Sequence, residues 1–389
     1  MGGNGTEVDG LDAEGGRAAA VACIPARPSE RAMSSVSVLI PCYNYGHFLE
    51  DAVSSVLDDQ EGVDARVLII DDASPDDSAE VARKIAARDP RVELIVHEVN
   101  KGNIATFNEG LLDWADGDYC ILLSADDRLT PGALRRARDL LDAHPNVGFV
   151  YGRARWVTDG APVPSARTRV RGWSVWPGQR WLDHRFRQAE NPITAPEVVV
   201  RTSLQKRVGG YDPQLPKAAD MELFMRLAAY ADVGFVRGAD QSYYRLHTHN
   251  MSSDVSALMD LRQRRSVFEV VLDRYGERLR GVTRLSDTVH RQLGREALWA
   301  AGRVYDRGRV RQTELARRFV GAGAATVEDE RDIGELVAFA FDCWPGVSRL
   351  PLYRTLQSDK RIGPRGTYYM LNQKGRWWLR RRSWKYRGI

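Results

Sequence analysis

The sequence predicts an α/β fold: a mainly parallel sheet flanked by helices, followed by a mostly helical C-terminal domain. Three features carry that expectation. Short β-branched apolar runs alternate with stretches whose apolar residues fall at helical spacing. The connections between them are short and polar, as in sheets covered on both faces. After Met251 the strand-like runs cease and helical spacing takes over.

Each element follows in order. Residues 36–40 are a buried-strand run ending at Pro41, and Leu49, Ala52, Val53, Val56 and Leu57 give the next helix its apolar face. A second strand covers 67–70. Ser74 then reads as a helix N-cap, with Pro75 at the first helical position and Asp77 three residues after the cap. Residues 92–96 are a third strand, 104–114 a helix and 119–123 a fourth strand. Thr130-Pro131 caps a helix reaching Ala143, and 147–151 is a fifth strand. Residues 155–190, rich in Arg, Trp, Pro and Gly, read as loops. A strand at 198–200, a helix at 220–230 with Asp220 as its cap, and strands at 233–236 and 241–244 complete the first domain. Leu258, Leu261, Val267 and Val271 mark an apolar helical face beyond it. The expected division is a disordered leader over 1–33, an α/β domain over 34–253 and a helical domain over 254–389.

The composition excludes several classes. With 389 residues, 43% of them hydrophobic and 28% charged, the chain can bury ordinary cores in two or three domains. No run is long and apolar enough to span a bilayer. Cys23, Cys42, Cys120 and Cys343 are too scattered for a metal cluster and too few for a disulfide framework, so a reducing cytoplasm is expected. The net charge of +4 is unevenly placed. From Arg354 onward there are eleven Lys and Arg against the single acid Asp359, a charge of +10 that leaves −6 on residues 1–353. A uniformly basic nucleic-acid binder is thereby excluded.

Open parallel sheets bind ligands at the carboxyl ends of their strands. Here those ends carry Tyr43-Asn44, Asp71-Asp72, Asn100-Lys101-Gly102 and Asp126-Asp127. Carboxylates concentrated there suit a metal ion and a sugar or nucleotide. The first strand lacks the Gly-x-Gly-x-x-Gly turn of a dinucleotide-binding dehydrogenase.

Five segments in order resemble the family 2 glycosyltransferases, which are inverting enzymes of the GT-A fold using nucleotide-sugar donors. They are Val36-Ser37-Val38-Leu39-Ile40-Pro41-Cys42-Tyr43-Asn44; Leu68-Ile69-Ile70-Asp71-Asp72-Ala73-Ser74; Asp118-Tyr119-Cys120-Ile121-Leu122-Leu123-Ser124-Ala125-Asp126-Asp127; Gly209-Gly210-Tyr211-Asp212 with Ala219-Asp220-Met221-Glu222; and Tyr244-Arg245-Leu246-His247. The resemblance covers about 35–253. It implies that Asp72 accepts from the N–H of the donor base, a UDP or dTDP nucleotide, against which Tyr43 lays its ring. Pro41, Asn44 and Lys101 complete that donor edge. Asp126 is assigned to the ribose, and Asp127 with His247 to a Mg2+ or Mn2+ ion shared with the diphosphate, because paired carboxylates repel unless a cation sits beside them. Asp220 matches the general base that takes the proton of an acceptor hydroxyl. The sequence departs from the family at Ser124 and Ala219, where relatives carry acids. A non-catalytic donor-binding or scaffold protein and a nucleotidyltransferase are the rival readings.

Two C-terminal features stand apart. Gln373-Lys374-Gly375-Arg376-Trp377 fits a signature of processive polysaccharide synthases, but it lies about 150 residues after Asp220 and reads as fortuitous. The tail over 374–389 interleaves cations with Trp and Tyr. It fits packing on the acidic body, a homo-oligomer contact, or an anionic membrane surface at the inner face, where a lipid-linked acceptor would be met; nucleic acid is the least favoured partner. The acceptor itself, a small molecule, a glycan or a lipid-linked molecule, is not legible.

Overall fold

The computed structural model describes residues 34–247, 256–318, 327–357 and residue 388. The leader over 1–33, His249, the motif at 373–377 and the tail over 374–389, apart from Gly388, lie outside the described residues.

In chain order the elements are β1 (Ser35–Cys42), α1 (Gly46–Leu57), β2 (Asp64–Asp71), α2 (Ser78–Arg88), β3 (Val92–Val96) and α3 (Asn103–Asn108). A π-helical turn, Glu109–Trp114, continues α3. Then come β4 (Tyr119–Leu122), β5 (Arg128–Leu129), α4 (Ala133–Ala143), β6 (Val147–Tyr151), β7 (Ala154–Thr158), β8 (Gly172–Trp176) and α5 (Gly178–Gln188). They are followed by β9 (Val199–Arg201), α6 (Thr202–Val208), α7 (Ala219–Tyr230), β10 (Asp232–Arg237) and β11 (Ser242–Leu246). Four helices end the described chain: α8 (Ala257–Tyr275), α9 (Val282–Arg318), α10 (Val327–Cys343) and α11 (Pro351–Gln357).

The main sheet has the order β3-β2-β1-β4-β9-β6-β10-β8. β3, β2, β1 and β4 are mutually parallel, β6 pairs parallel with β10, and only β9 and β8 run against their neighbours. Alternation of side chains divides the core between two faces. Val36, Val38 and Ile40 of β1 pack with α1, α2 and α4, whereas Leu39, Leu68 and Leu122 join a cluster that includes α5, α7 and the C-terminal helices as far as Leu352. A sheet covered on both faces explains why its strands read as continuous apolar runs. No helix among the described residues is long and apolar enough to cross a membrane.

Several expectations are corrected. Ser74 does not cap a helix: α2 begins at Ser78, and the Ser74 hydroxyl instead accepts from the Asn44 N–H at 3.1 Å. Asn44 (φ 61°) and Ala73 (φ 57°) are both left-handed, and this bond ties their two strand-end turns together. Thr130 is likewise no cap, since its hydroxyl donates to the Asp240 carbonyl and left-handed Gly132 precedes α4. Asp220 is the second residue of α7 rather than its cap, which is Ala218. Residues 155–190 are not all loop: they hold most of β7, all of β8 and α5, whose Trp173, Trp176 and Trp181 are buried. Aromatics that read as loop composition are core.

The π-helical turn packs closely on β1. A Cβ on Gly110 would stand 2.4 Å from Leu39 Cδ1, so this helix lies hard against β1. The extra residue in its turn closes with the Ala115 N–H donating to the Gly110 carbonyl at 2.9 Å. Such bulges re-aim side chains, and here Glu109 points at His97 and Lys101. At the other end of the chain, Gly388 is buried and left-handed (φ 73°), its carbonyl accepting from the Tyr151 hydroxyl.

Candidate active site

A cavity of about 1050 Å³ lies over the carboxyl ends of β1, β2 and β4 and extends to α8 and α9. Pro41, Tyr43, Asp72, Asp126, Asp127 and Asp220 all line it. Asn44 and Lys101 do not: Asn44 is engaged with Ser74, and the Lys101 ammonium pairs with Glu109 at 2.8 Å.

At the donor end, Asp72 is 4% exposed and clamps the loop after β3. Its Oδ1 faces His97 Nδ1 at 2.7 Å and accepts from the Lys101 N–H at 2.8 Å, while Oδ2 accepts from the Gly102 N–H at 2.9 Å. Burial would raise this carboxyl, but those three partners outweigh it and hold it below the usual range. His97 Nε2 in turn faces Glu109 at 3.1 Å. Tyr43, 45% exposed at the rim, offers an open ring face.

Asp126 and Asp127 sit between β4 and β5, and β11 runs antiparallel to β5, so its end arrives above them. The Arg245 N–H donates to Asp127 Oδ1 at 2.9 Å, and His247 Nε2 stands 3.0 Å from Asp126 Oδ2. His247 is held by Tyr45 and Phe48, with ring centroids 5.4 and 5.7 Å away. The geometry therefore groups His247 with Asp126 rather than with Asp127. Burial, reinforced by the neighbouring Asp126 charge, pushes the Asp127 carboxyl well above its usual range. A cation beside the pair would relieve that repulsion. Among the described residues no three His, Cys, Asp or Glu side chains are grouped to hold a metal by themselves. An ion here would need further oxygens, as hard cations commonly take from a substrate's phosphates.

Asp220, on α7, lines the same cavity. Its Oδ1 accepts from the Met221 N–H at 2.7 Å and its Oδ2 from Asn191 Nδ2 at 3.1 Å. Burial pushes its carboxyl up to about 6, against the opposing pull of those hydrogen bonds. It remains ionised at neutral pH while gaining basicity.

Asn191, Tyr45 and the cavity face of α8 and α9 were not anticipated. Asn191-Pro192 carries a turn signal only, and a lone amide in a loop has no periodicity to betray a role.

Residues 37–203 match the family model described as glycosyl transferase family 2. An uncharacterised protein of Mycobacterium tuberculosis is 29% identical over 57% of this chain and 69% of its own length. The succinoglycan biosynthesis protein ExoA of Rhizobium meliloti is 28% identical over 51% of this chain. The match spans 59% of ExoA, under two thirds of its length. In architecture the chain is similar to residues 1–349 of S. aureus TarS, solved in complex with UDP-GlcNAc, with a TM-score of 0.54 at 17% identity, covering 88% of this chain and 92% of that one.

Proposed function

We propose that this chain, whose residues 37–203 match the glycosyl transferase family 2 model, transfers a sugar with inversion from a UDP- or dTDP-sugar to an acceptor hydroxyl or similar nucleophile, with Asp220 as general base. The fold is GT-A and the activity class is nucleotide-sugar glycosyl transfer. One observation carries the reading: a carboxylate raised to about 6 shares a cavity with the carboxylates of the strand ends. A base of that strength takes a hydroxyl proton better than an ordinary carboxylate, yet is mostly ionised at pH 7.

Each side chain then has a task. Tyr43 lies under the base of the nucleotide, and Asp72, by clamping 100–102, shapes the base pocket and presents its remaining lone pairs to a pyrimidine N–H. Asp127 and His247, with Asp126 beside His247, would hold Mg2+ or Mn2+ together with oxygens of the donor's diphosphate. When bound, that ion offsets the charge building on the leaving diphosphate. Asn191 and the Met221 amide hold the Asp220 carboxylate in place while it accepts the proton. That TarS in this fold is solved with UDP-GlcNAc supports a uridine donor.

A panel of nucleotide-sugars, assayed for nucleoside diphosphate release with and without EDTA, tests this. UDP- or dTDP-sugars should turn over, chelation should stop it, and Asp220→Asn should lower the rate by ~10²–10⁴. Full turnover by Asp220→Asn, or release from none of the donors, would overturn the reading.

A further inference from the structure

The cavity is larger than the strand ends need. At about 1050 Å³ it sits at the top of the ~300–1,000 Å³ range of sites for a single small molecule. Its far wall comes from the helical region. Ala257, Asp260, Leu261 and Arg264 recur at i, i+3, i+4 and i+7 on α8, and Glu296, Ala300 and Arg303 at i, i+4 and i+7 on α9. Each helix therefore turns one continuous stripe to the cavity. Asp220 lines the same cavity from α7, which packs against α8.

The wall has a definite chemistry. The Arg264 guanidinium, 8% exposed, is consumed internally. It donates to Asp260 Oδ2 at 2.7 and 3.0 Å, to Glu296 Oε1 at 2.9 Å and Oε2 at 3.2 Å, and to the Ala189 carbonyl. It has no donor left for a ligand anion. The two carboxylates it fixes keep spare lone pairs, and Asp260, whose side chain is 52% exposed, still presents Oδ1. Arg303 lies over the Trp299 ring at 3.9 Å. Two acids and two arginines balance, so the wall is neutral overall, rich in fixed hydrogen-bond acceptors and interspersed with the small apolar Ala257 and Ala300. Oriented carboxylates of this kind accept from hydroxyls and disfavour a second anion.

We propose that this α8–α9 face is the acceptor subsite, and that it takes a neutral, hydroxyl-rich carbohydrate unit and presents one hydroxyl to Asp220. The inference rests on the glycosyl-transfer reading. A carbohydrate unit hydrogen-bonds Asp260 and Glu296 from one edge and lays its apolar face on Leu261 and Ala300.

The test is calorimetric titration of the intact protein, with UDP present, using neutral methyl glycosides and the matching sugar phosphates. Asp260→Ala removes an acceptor while leaving Arg264 its Glu296 partner. Ala257→Trp, at an exposed position, fills the cavity without touching the ion cluster. Neutral glycosides should bind the native protein in preference to sugar phosphates. Asp260→Ala should weaken that binding by roughly tenfold or more, the loss of one hydrogen bond to a charged group, and Ala257→Trp by about as much through the space it fills, with UDP affinity unchanged. No glycoside binding, equal or tighter binding of the phosphates, or native affinity in both variants would overturn the subsite. Failure of UDP itself to bind the native protein would count against the donor reading alone, because the glycoside comparison is repeated without UDP.

Discussion

Asn191 Nδ2 donates to Asp220 Oδ2 over 3.1 Å, while Asn191 Oδ1 accepts from the Ile193 N–H at the same distance. The second bond fixes which end of the amide faces the acid. Because the amide bonds the ionised carboxylate, it lowers the pKa of Asp220 from where burial alone would set it. The acid limb of the native rate profile is therefore expected near pH 6. In Asn191→Ala it should move up by roughly one pH unit, the equivalent of one hydrogen bond to a charge. Rates measured from pH 5 to 9 check this; a limb that stays in place removes Asn191 from that role.

Asp72 makes a prediction about stability. Its folded pKa is depressed, so the stability it contributes is present above the unfolded value of ~3.9 and lost as pH falls through the folded one. Asp72→Ala should lower stability at pH 7 by about 1–3 kcal/mol and flatten its decline below pH ~4. It should also weaken UDP binding, since loop 100–102 loses its clamp. Denaturant melts at pH 3 and 7, with UDP calorimetry alongside, read both effects.

His247 separates metal binding from catalysis. If it ligates beside Asp126, His247→Ala should raise the Mn2+ concentration giving half-maximal activity by roughly tenfold, while saturating metal largely restores the rate. An unchanged activation curve would remove His247 from the metal site and leave it a partner of Asp126, Tyr45 and Phe48.

Gly110 should admit no side chain. Its missing Cβ would fall 2.4 Å from Cδ1 and 2.9 Å from Cγ of the buried Leu39. Gly110→Ala is expected to destabilise by about 1–3 kcal/mol, and to shift Glu109 away from Lys101. Thermal melts of that variant against Gly334→Ala, whose added Cβ meets nothing within 4 Å, provide the control.

Within the tail, the described residue Gly388 is held to the core. Tyr151 donates to the Gly388 carbonyl and accepts from Trp181 Nε1 at 3.1 Å. Removing residues 374–389 leaves a buried hydroxyl without its acceptor, so the shortened chain should melt lower by roughly 2 °C or more. Sedimentation with anionic vesicles on the same pair of proteins tests the membrane reading: association that disappears with the tail would support it, and equal sedimentation would end it.

Much of the sheet was legible because its strands are covered on both faces. Runs such as 36–40, 67–70 and 147–151 are apolar enough to declare themselves, and the acids at their ends stand out against them. Asp72, Asp126 and Asp127 stand out that way, Asp220 through the family resemblance instead, and all four line one cavity. The hydrogen bonds were not legible. Ser74 and Thr130 have the chemistry of caps, but their hydroxyls are taken by Asn44 and Asp240, partners 30 and 110 residues distant in sequence. β7 and β8 are five residues each, and their tryptophans hide a short strand among arginines. The face of α8 and α9 toward the cavity was invisible because its importance depends on what it packs beside.

The hydrophobic cluster that runs from Leu39 through α7 to Leu352 makes no break at the end of β11. Leu261, Val267, Phe268 and Leu285 are buried in the same interior as Phe149 and Phe224. The helical region is thus not a detachable module. Grafting it onto another sheet to exchange acceptor preference would open that shared interior, so recombination between relatives should succeed only where both halves are inherited together. New preferences are more accessible by single changes on the cavity stripes of α8 and α9.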